Sequence, residues 1–291
     1  MDATGLIRIG VMASLVLLVL SLGMRSNFSE ASYLFRKPAL LLRSLVSMNV
    51  ILPLLVIWLV TSFDLRPAVK IALVALAVAP VPPFLPGKQL KLADSHDFTI
   101  GLLVATSLFS ILIVPATMAL IEALGVGSRH VSAAAILRIV GTTVLLPLIA
   151  GIFVRTRWPA LAARVQPVAH AIAVVLLVIA LIPVLFSAWG AMRSLIGDGT
   201  VLVILVATVL GLAVGHVLGG PQAEDRSVLA LATASRHPAV AIAIASASFP
   251  DAKLVLPAVL LALVVGMVVS APYVAWRKRF RRRSQPPMVD A

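Results

Sequence analysis

The chain of 291 residues has no cysteine, only eleven acidic residues, and charged side chains of either sign at just 12%. Without thiols there are no disulfides and no thiolate metal site, so cysteine usage leaves the compartment unread. A charged share this far below the roughly 25% of soluble domains excludes an ordinary globular fold. The five histidines, His96, His130, His170, His216 and His237, form no ligand cluster in sequence. Paired carboxylates, metal-spaced histidines and a Ser/His/Asp set at one depth are all missing, which argues against an intramembrane enzyme.

What the chain does have is apolar length. Hydrophobic residues make up 61% and the mean hydropathy is +1.10. Against the roughly 20 apolar residues a membrane helix needs, the runs give an all-α membrane protein with about nine spans. They lie near 5–24, 38–62, 67–94, 98–122, 133–154, 165–189, 200–218, 227–249 and 253–276. The first run is long and has no small-x-small cleavage site after it, so it is read as a retained span rather than a signal peptide. The connectors are short and carry no Gly/Ser-rich or Pro-rich linker. Residues 1–276 are therefore read as one polytopic transporter domain, and 277–291 as a basic cytoplasmic tail.

The net charge of +13 reflects topology rather than nucleic acid. Odd-numbered loops and the C-terminus hold fifteen of the 24 basic residues and the opposite side six; Arg43, Arg138 and Arg236 fall inside spans. By the positive-inside rule the C-terminus is cytoplasmic and the N-terminus outside, in a plasma (inner) membrane. The cluster Arg277 to Arg283 is read as a topology anchor that also faces anionic membrane lipids. Arg43 and Arg138 lie near span ends and snorkel to the interface.

Two spans are interrupted. Arg236-His237-Pro238 divides the run Ser227 to Phe249 into halves too short to cross the bilayer alone. A guanidinium stays charged and costs at least about 2.5–3.5 kcal/mol at the centre of a membrane helix, so Arg236 is expected to face a polar cavity, an ordinary external loop being the alternative that the short flanks disfavour. The second interruption is Ala79-Pro80-Val81-Pro82-Pro83-Phe84-Leu85-Pro86-Gly87, where four prolines cannot sit in a continuous helix. Pro83 and Pro238 each suit the first position of a restarting half-helix. The first break also reads as an ordinary loop between short helices. If both breaks are intramembrane, their half-helix N-termini point at one locus, the arrangement that secondary transporters use for substrate. The two breaks are then expected to meet near mid-membrane. Each broken span is followed by a span with a late proline, Pro115 and Pro272, a weak sign of inverted repeats.

In this order the residues resemble the bile acid:sodium symporter family. The likeness runs through Ser21-Leu22-Gly23-Met24, Arg36-Lys37-Pro38, Asn49-Val50-Ile51-Leu52-Pro53, the Pro80 to Gly87 break, Val104-Ala105-Thr106-Ser107, Val144-Leu145-Leu146-Pro147 and Ala239 to Phe249. It implies a core domain and a panel domain of inverted repeats, with two broken helices crossing in the core. The chain looks like the nine-span form. It departs from the family at both breaks. Where members carry Glu-x-Gly-Met-Gln-Asn, this chain reads Ala232-Thr233-Ala234-Ser235-Arg236-His237. Where they carry Pro-Gly-Gly-Thr-x-Ser-Asn, it reads Val81-Pro82-Pro83-Phe84-Leu85-Pro86. Of the ligands the resemblance implies in the fourth span, Thr106 is kept. No acidic residue lies deep in a span, so the sodium sites implied by the family are expected to be lost.

The resulting expectation is alternating-access transport of a small organic anion without a cofactor. The substrate-binding candidates are Arg236, His237, Ser235, Thr233, Thr106, Pro82 and Pro83. Arg236 is either an anion anchor or a structural surrogate for a cation on half-helix carbonyl ends, and His237 is a proton-coupling candidate. Two alternatives stay open. One is a sodium-coupled, bile-acid-like symporter using backbone carbonyls, Thr106 and Thr233. The other is a membrane ligand sensor that moves nothing.

Overall fold

The computed structural model describes residues 3–82, 96–123, 133–249 and 251–284. Every element among them is helical, and no strand occurs among the described residues. In chain order these are α1 (Ala3–Gly23), α2 (Pro38–Ser62), α3 (Pro67–Val78), α4 (His96–Ala123) and α5 (residues 133–157). They continue as α6 (Pro159–Ser194), α7 (Thr200–Leu218), α8 (Ala223–Ala234), α9 (Pro238–Ser248) and α10 (Val255–Ser284). A one-turn helix, Phe28–Ala31, and a 3-10 turn, Tyr33–Arg36, join α1 to α2.

Among the described residues, seven helical stretches are long and apolar enough to cross a membrane. One of them, Ala223–Ser248, runs from α8 through the second break into α9. Two further apolar stretches, Ile9–Gly23 within α1 and Pro67–Val78, lie where spans 5–24 and 67–94 were expected, residues 83–94 falling outside the described residues. Proline sets several starts: Pro38, Pro67, Pro159 and Pro238 are each the first residue of a helix, where a missing N–H costs nothing. The α10 helix continues through the basic residues from Arg277 to Ser284.

Lipid is as apolar as leucine, so hydrophobic burial does little to hold these helices together and close backbone approach does more. The α7 helix presents Gly211, Gly215 and Gly219 to α8. A Cβ on Gly215 would stand 2.5 Å from the Leu229 carbonyl oxygen, and one on Gly219 would stand 2.4 Å from the Arg226 Cα. The α1–α5 crossing is as tight: Cβ atoms on Gly23 and Gly151 would each lie 2.4 Å from a carbonyl oxygen, of Leu148 and Leu20. Around these contacts the helices form two groups. In one, α1 packs on α5 and α6; in the other, α3 packs on α9 and α10 while α7 packs on α2, α8 and α10. The second group carries both breaks and holds them in register.

Neither the second nor the fifth span is a plain α-helix. Each contains a wide π turn, Ser47–Ile51 in α2 and Gly141–Leu145 in α5. A Leu-Pro pair follows each turn, Leu52-Pro53 and Leu146-Pro147. This recurrence changes the hydrogen-bond supply inside both helices.

Candidate functional site

The residue before a proline is pushed out of the helical region, and both breaks begin that way. Ala79, ahead of Pro80, ends α3 with extended angles (φ −67°, ψ 151°). His237, ahead of Pro238, is extended at φ −72°, ψ 106°, and Ser235 at φ −118°, ψ 128° closes α8. The chain therefore crosses from α8 to α9 through three non-helical residues, as the sequence led us to expect. The restart of the first broken span, with Pro83, lies outside the described residues.

The two breaks meet. The His237 backbone N–H donates to the Pro80 carbonyl at 2.8 Å. Arg236 Nη1 donates to the Ala79 carbonyl at 3.1 Å, and Arg236 Nη2 donates to the Met48 carbonyl on α2. The Arg236 side chain is 4% exposed and His237 is fully buried. Ala79 is the carbonyl end of α3, where the helix dipole is negative, so the guanidinium sits where a positive charge is favoured.

Met48 is available for a local reason. In a helix its carbonyl would accept from Leu52 or, in the wider π register, from Pro53. The Leu52 N–H goes to Ser47 instead, and proline has none to give. The orphaned carbonyl is fully buried and takes its donor from Arg236 across the helix interface. One residue earlier, Ser47 Oγ and Thr233 Oγ1 lie 2.8 Å apart in a buried hydrogen bond that ties the same turn to α8. The segment 233–237 is thus pinned to α2 twice and to the end of α3 twice.

His237 caps the helix it precedes: its Nδ1 accepts the Val240 N–H in a long bond of 3.5 Å. That role places the ring proton on Nε2. Protonating Nδ1 as well would remove the cap and put a second positive charge beside Arg236 at the positive end of α9. In this arrangement Nε2 is the ring's remaining donor.

Two nitrogens at the crossing, Arg236 Nε and His237 Nε2, are buried without an acceptor, as is the Nδ2 of Asn49, next in sequence to Met48. All three are donors. The remaining candidates separate. Thr233 belongs to the crossing through Ser47, and Ser235 is half-buried in the break itself. Pro82 is buried just past the carbonyls of Ala79 and Pro80. Thr106 is 3% exposed on α4, and its hydroxyl bonds its own helix at the Leu102 carbonyl, 2.8 Å away, rather than the break. Sequence reasoning missed Ser47, Met48 and Asn49. The signal available was Pro53, a proline inside an unbroken apolar run, which always leaves a carbonyl short of a donor.

Among the described residues no cluster of three His, Asp or Glu side chains could hold a metal ion. Two ion pairs between described residues, Arg66–Asp198 and His96–Glu30, do not involve Arg236. A family model, the sodium bile acid symporter family, matches residues 12–192, more than half of the chain. No curated protein matches the sequence significantly.

Proposed function

The chain belongs to the sodium bile acid symporter family, whose members are multi-pass membrane transporters, and from that premise we propose that it carries a small organic anion by alternating access without bound sodium. One observation carries the reading: a permanently charged guanidinium sits where two broken helices cross, its Nε and the neighbouring His237 Nε2 buried without an acceptor, and neither ion pair between described residues involves it. Buried donors call for an acceptor, and a carboxylate or sulfonate supplies acceptors and the missing negative charge together. The half-helix N-terminus of α9 biases the locus in the same direction.

Sodium does not fit this donor set. A hard cation needs several oxygen ligands, yet the carbonyls of Ala79 and Met48 already accept from Arg236, and its fixed charge would repel a second cation. Arg236 then has two functions. Its Nη groups hold the crossing together, and its Nε is the donor left for substrate, with His237 Nε2 on the adjacent residue. The chain is further taken to have nine spans, with the α3/α9 crossing in a core domain of inverted repeats and α1, α5 and α6 in a panel domain. Its C-terminus faces the cytoplasm across the plasma (inner) membrane.

Counterflow uptake into proteoliposomes, with a panel of labelled organic anions in sodium or choline buffer, tests the proposal. Saturable uptake of at least one anion at equal rates in both buffers is expected. The reading is overturned if uptake occurs only in sodium, which would favour the sodium-coupled symporter that the family description names.

A further inference from the structure

The π turn in α5 repeats the donor shortage of α2 but not its solution. The Leu146 N–H donates to Gly141 and Pro147 has no N–H, so the Thr142 carbonyl loses both helical donors, as the Met48 carbonyl does. No side chain among the described residues takes the place of Arg236 there. Thr142 and Arg138 are exposed on one face of α5, and a Cβ built on Gly141 would meet nothing within 4 Å. The Thr142 hydroxyl turns back to the Arg138 carbonyl at 2.7 Å, so it does not screen its own main chain. Further along the same face the helix becomes wholly apolar, with Leu146, Ile149 and Phe153 at 62%, 61% and 60% exposure.

Irregular backbone with an open carbonyl is not stable against hydrocarbon. At membrane depth it persists only where it is buried in protein or lines water. Here it is not buried. We propose that the Arg138, Gly141 and Thr142 face of α5 lines a water-filled crevice reaching into the span. The Thr142 carbonyl is hydrated there, and Arg138 is the first cationic contact for an entering organic anion. Only the identity of the passing anion rests on the transport reading; the crevice stands or falls separately.

The cysteine-free sequence makes the test direct. Single-cysteine variants Thr142→Cys and Ile149→Cys, in the full chain in proteoliposomes, are reacted with a membrane-impermeant anionic sulfonate thiosulfonate and with its cationic counterpart. Thr142→Cys is expected to react at least tenfold faster than Ile149→Cys. It should also prefer the anionic reagent, and that preference should disappear on adding Arg138→Gln. A fluorophore at position 142 should be quenched by aqueous iodide and not by brominated acyl chains, with the reverse at 149. If Thr142→Cys does not fold, Gly141→Cys, at the open position, reports the same face. Equal slow labelling at both sites, or bromolipid quenching at 142, overturns the crevice. Labelling as expected in a protein that fails the counterflow assay would leave the crevice standing and remove the transport reading.

Discussion

The turns at Ser47–Ile51 and Gly141–Leu145 share a local instruction, a π turn followed by Leu-Pro, and each leaves one carbonyl without a helical donor. In α2 that turn faces the protein interior, where Met48 is fully buried and Arg236 supplies the donor. In α5 the matching residue, Thr142, is exposed and no described side chain reaches its carbonyl. The same deficit therefore becomes a tie between helices in one place and an open polar face in the other. A proline in a membrane helix creates a hydrogen-bonding vacancy; the neighbours determine its use.

The comparison breaks most readily at Arg236. Arg236→Gln leaves the Ala79 and Met48 carbonyls short of donors, at about 1–3 kcal/mol each. Relief of the buried charge offsets part of this, so a loss of about 2–4 kcal/mol in apo stability is expected, along with loss of anion affinity. Arg236→Lys should recover only part of both, because the ammonium lacks the planar fork that reaches two carbonyls. Thermal unfolding without ligand and anion affinity, measured on the same preparations, decide the matter. A stable Arg236→Gln variant with intact transport would remove the site assignment.

Restoring the missing N–H should distinguish the two turns. Pro147→Ala offers a donor to an unfilled carbonyl and is expected to stabilise by about 1 kcal/mol, the net worth of a typical hydrogen bond. Pro53→Ala offers one to a carbonyl that Arg236 already fills, and is expected to give less than half of that gain. Equal gains in melting temperature would mean that the guanidinium does not satisfy Met48. The Ser47–Thr233 bond is the finer probe. Ser47→Ala and Thr233→Ala should each cost about 1 kcal/mol, and the double variant should cost less than their sum, because both remove one shared interaction. Strict additivity would show that the two hydroxyls act separately.

The smallest effect is the one that bears on coupling. Replacing sodium by potassium or choline should leave the melting temperature unchanged, since only a ligand bound to the native state shifts it. A saturable rise with sodium would mean that a cation site survives beside Arg236.

Much of this site was legible in the order of residues. Pro80, Pro82 and Pro238 forbid continuous helix, and Arg236 cannot be left in lipid, so a polar meeting of two breaks was one of two readings the chain allowed, an ordinary loop at the first break being the other. The partners of Arg236 were not legible. Nothing local ties Met48 to Arg236 across 188 positions of sequence. Periodicity also cannot separate a π turn from an α-helix, since one extra residue hardly disturbs an apolar run. That His237 caps α9 depends on a rotamer that composition does not specify.

The sequence by itself determined the class of solvent, the positions of the helices and the two places where they must break, because these follow from apolar run length, proline stereochemistry and the cost of a charge in hydrocarbon. The tertiary structure alone decided which vacant carbonyl meets which donor. That choice depends on which faces pack: the glycines of α7 bring α8 close, the Ser47–Thr233 bond fixes its height against α2, and together they deliver one guanidinium to the end of α3 and the π turn of α2.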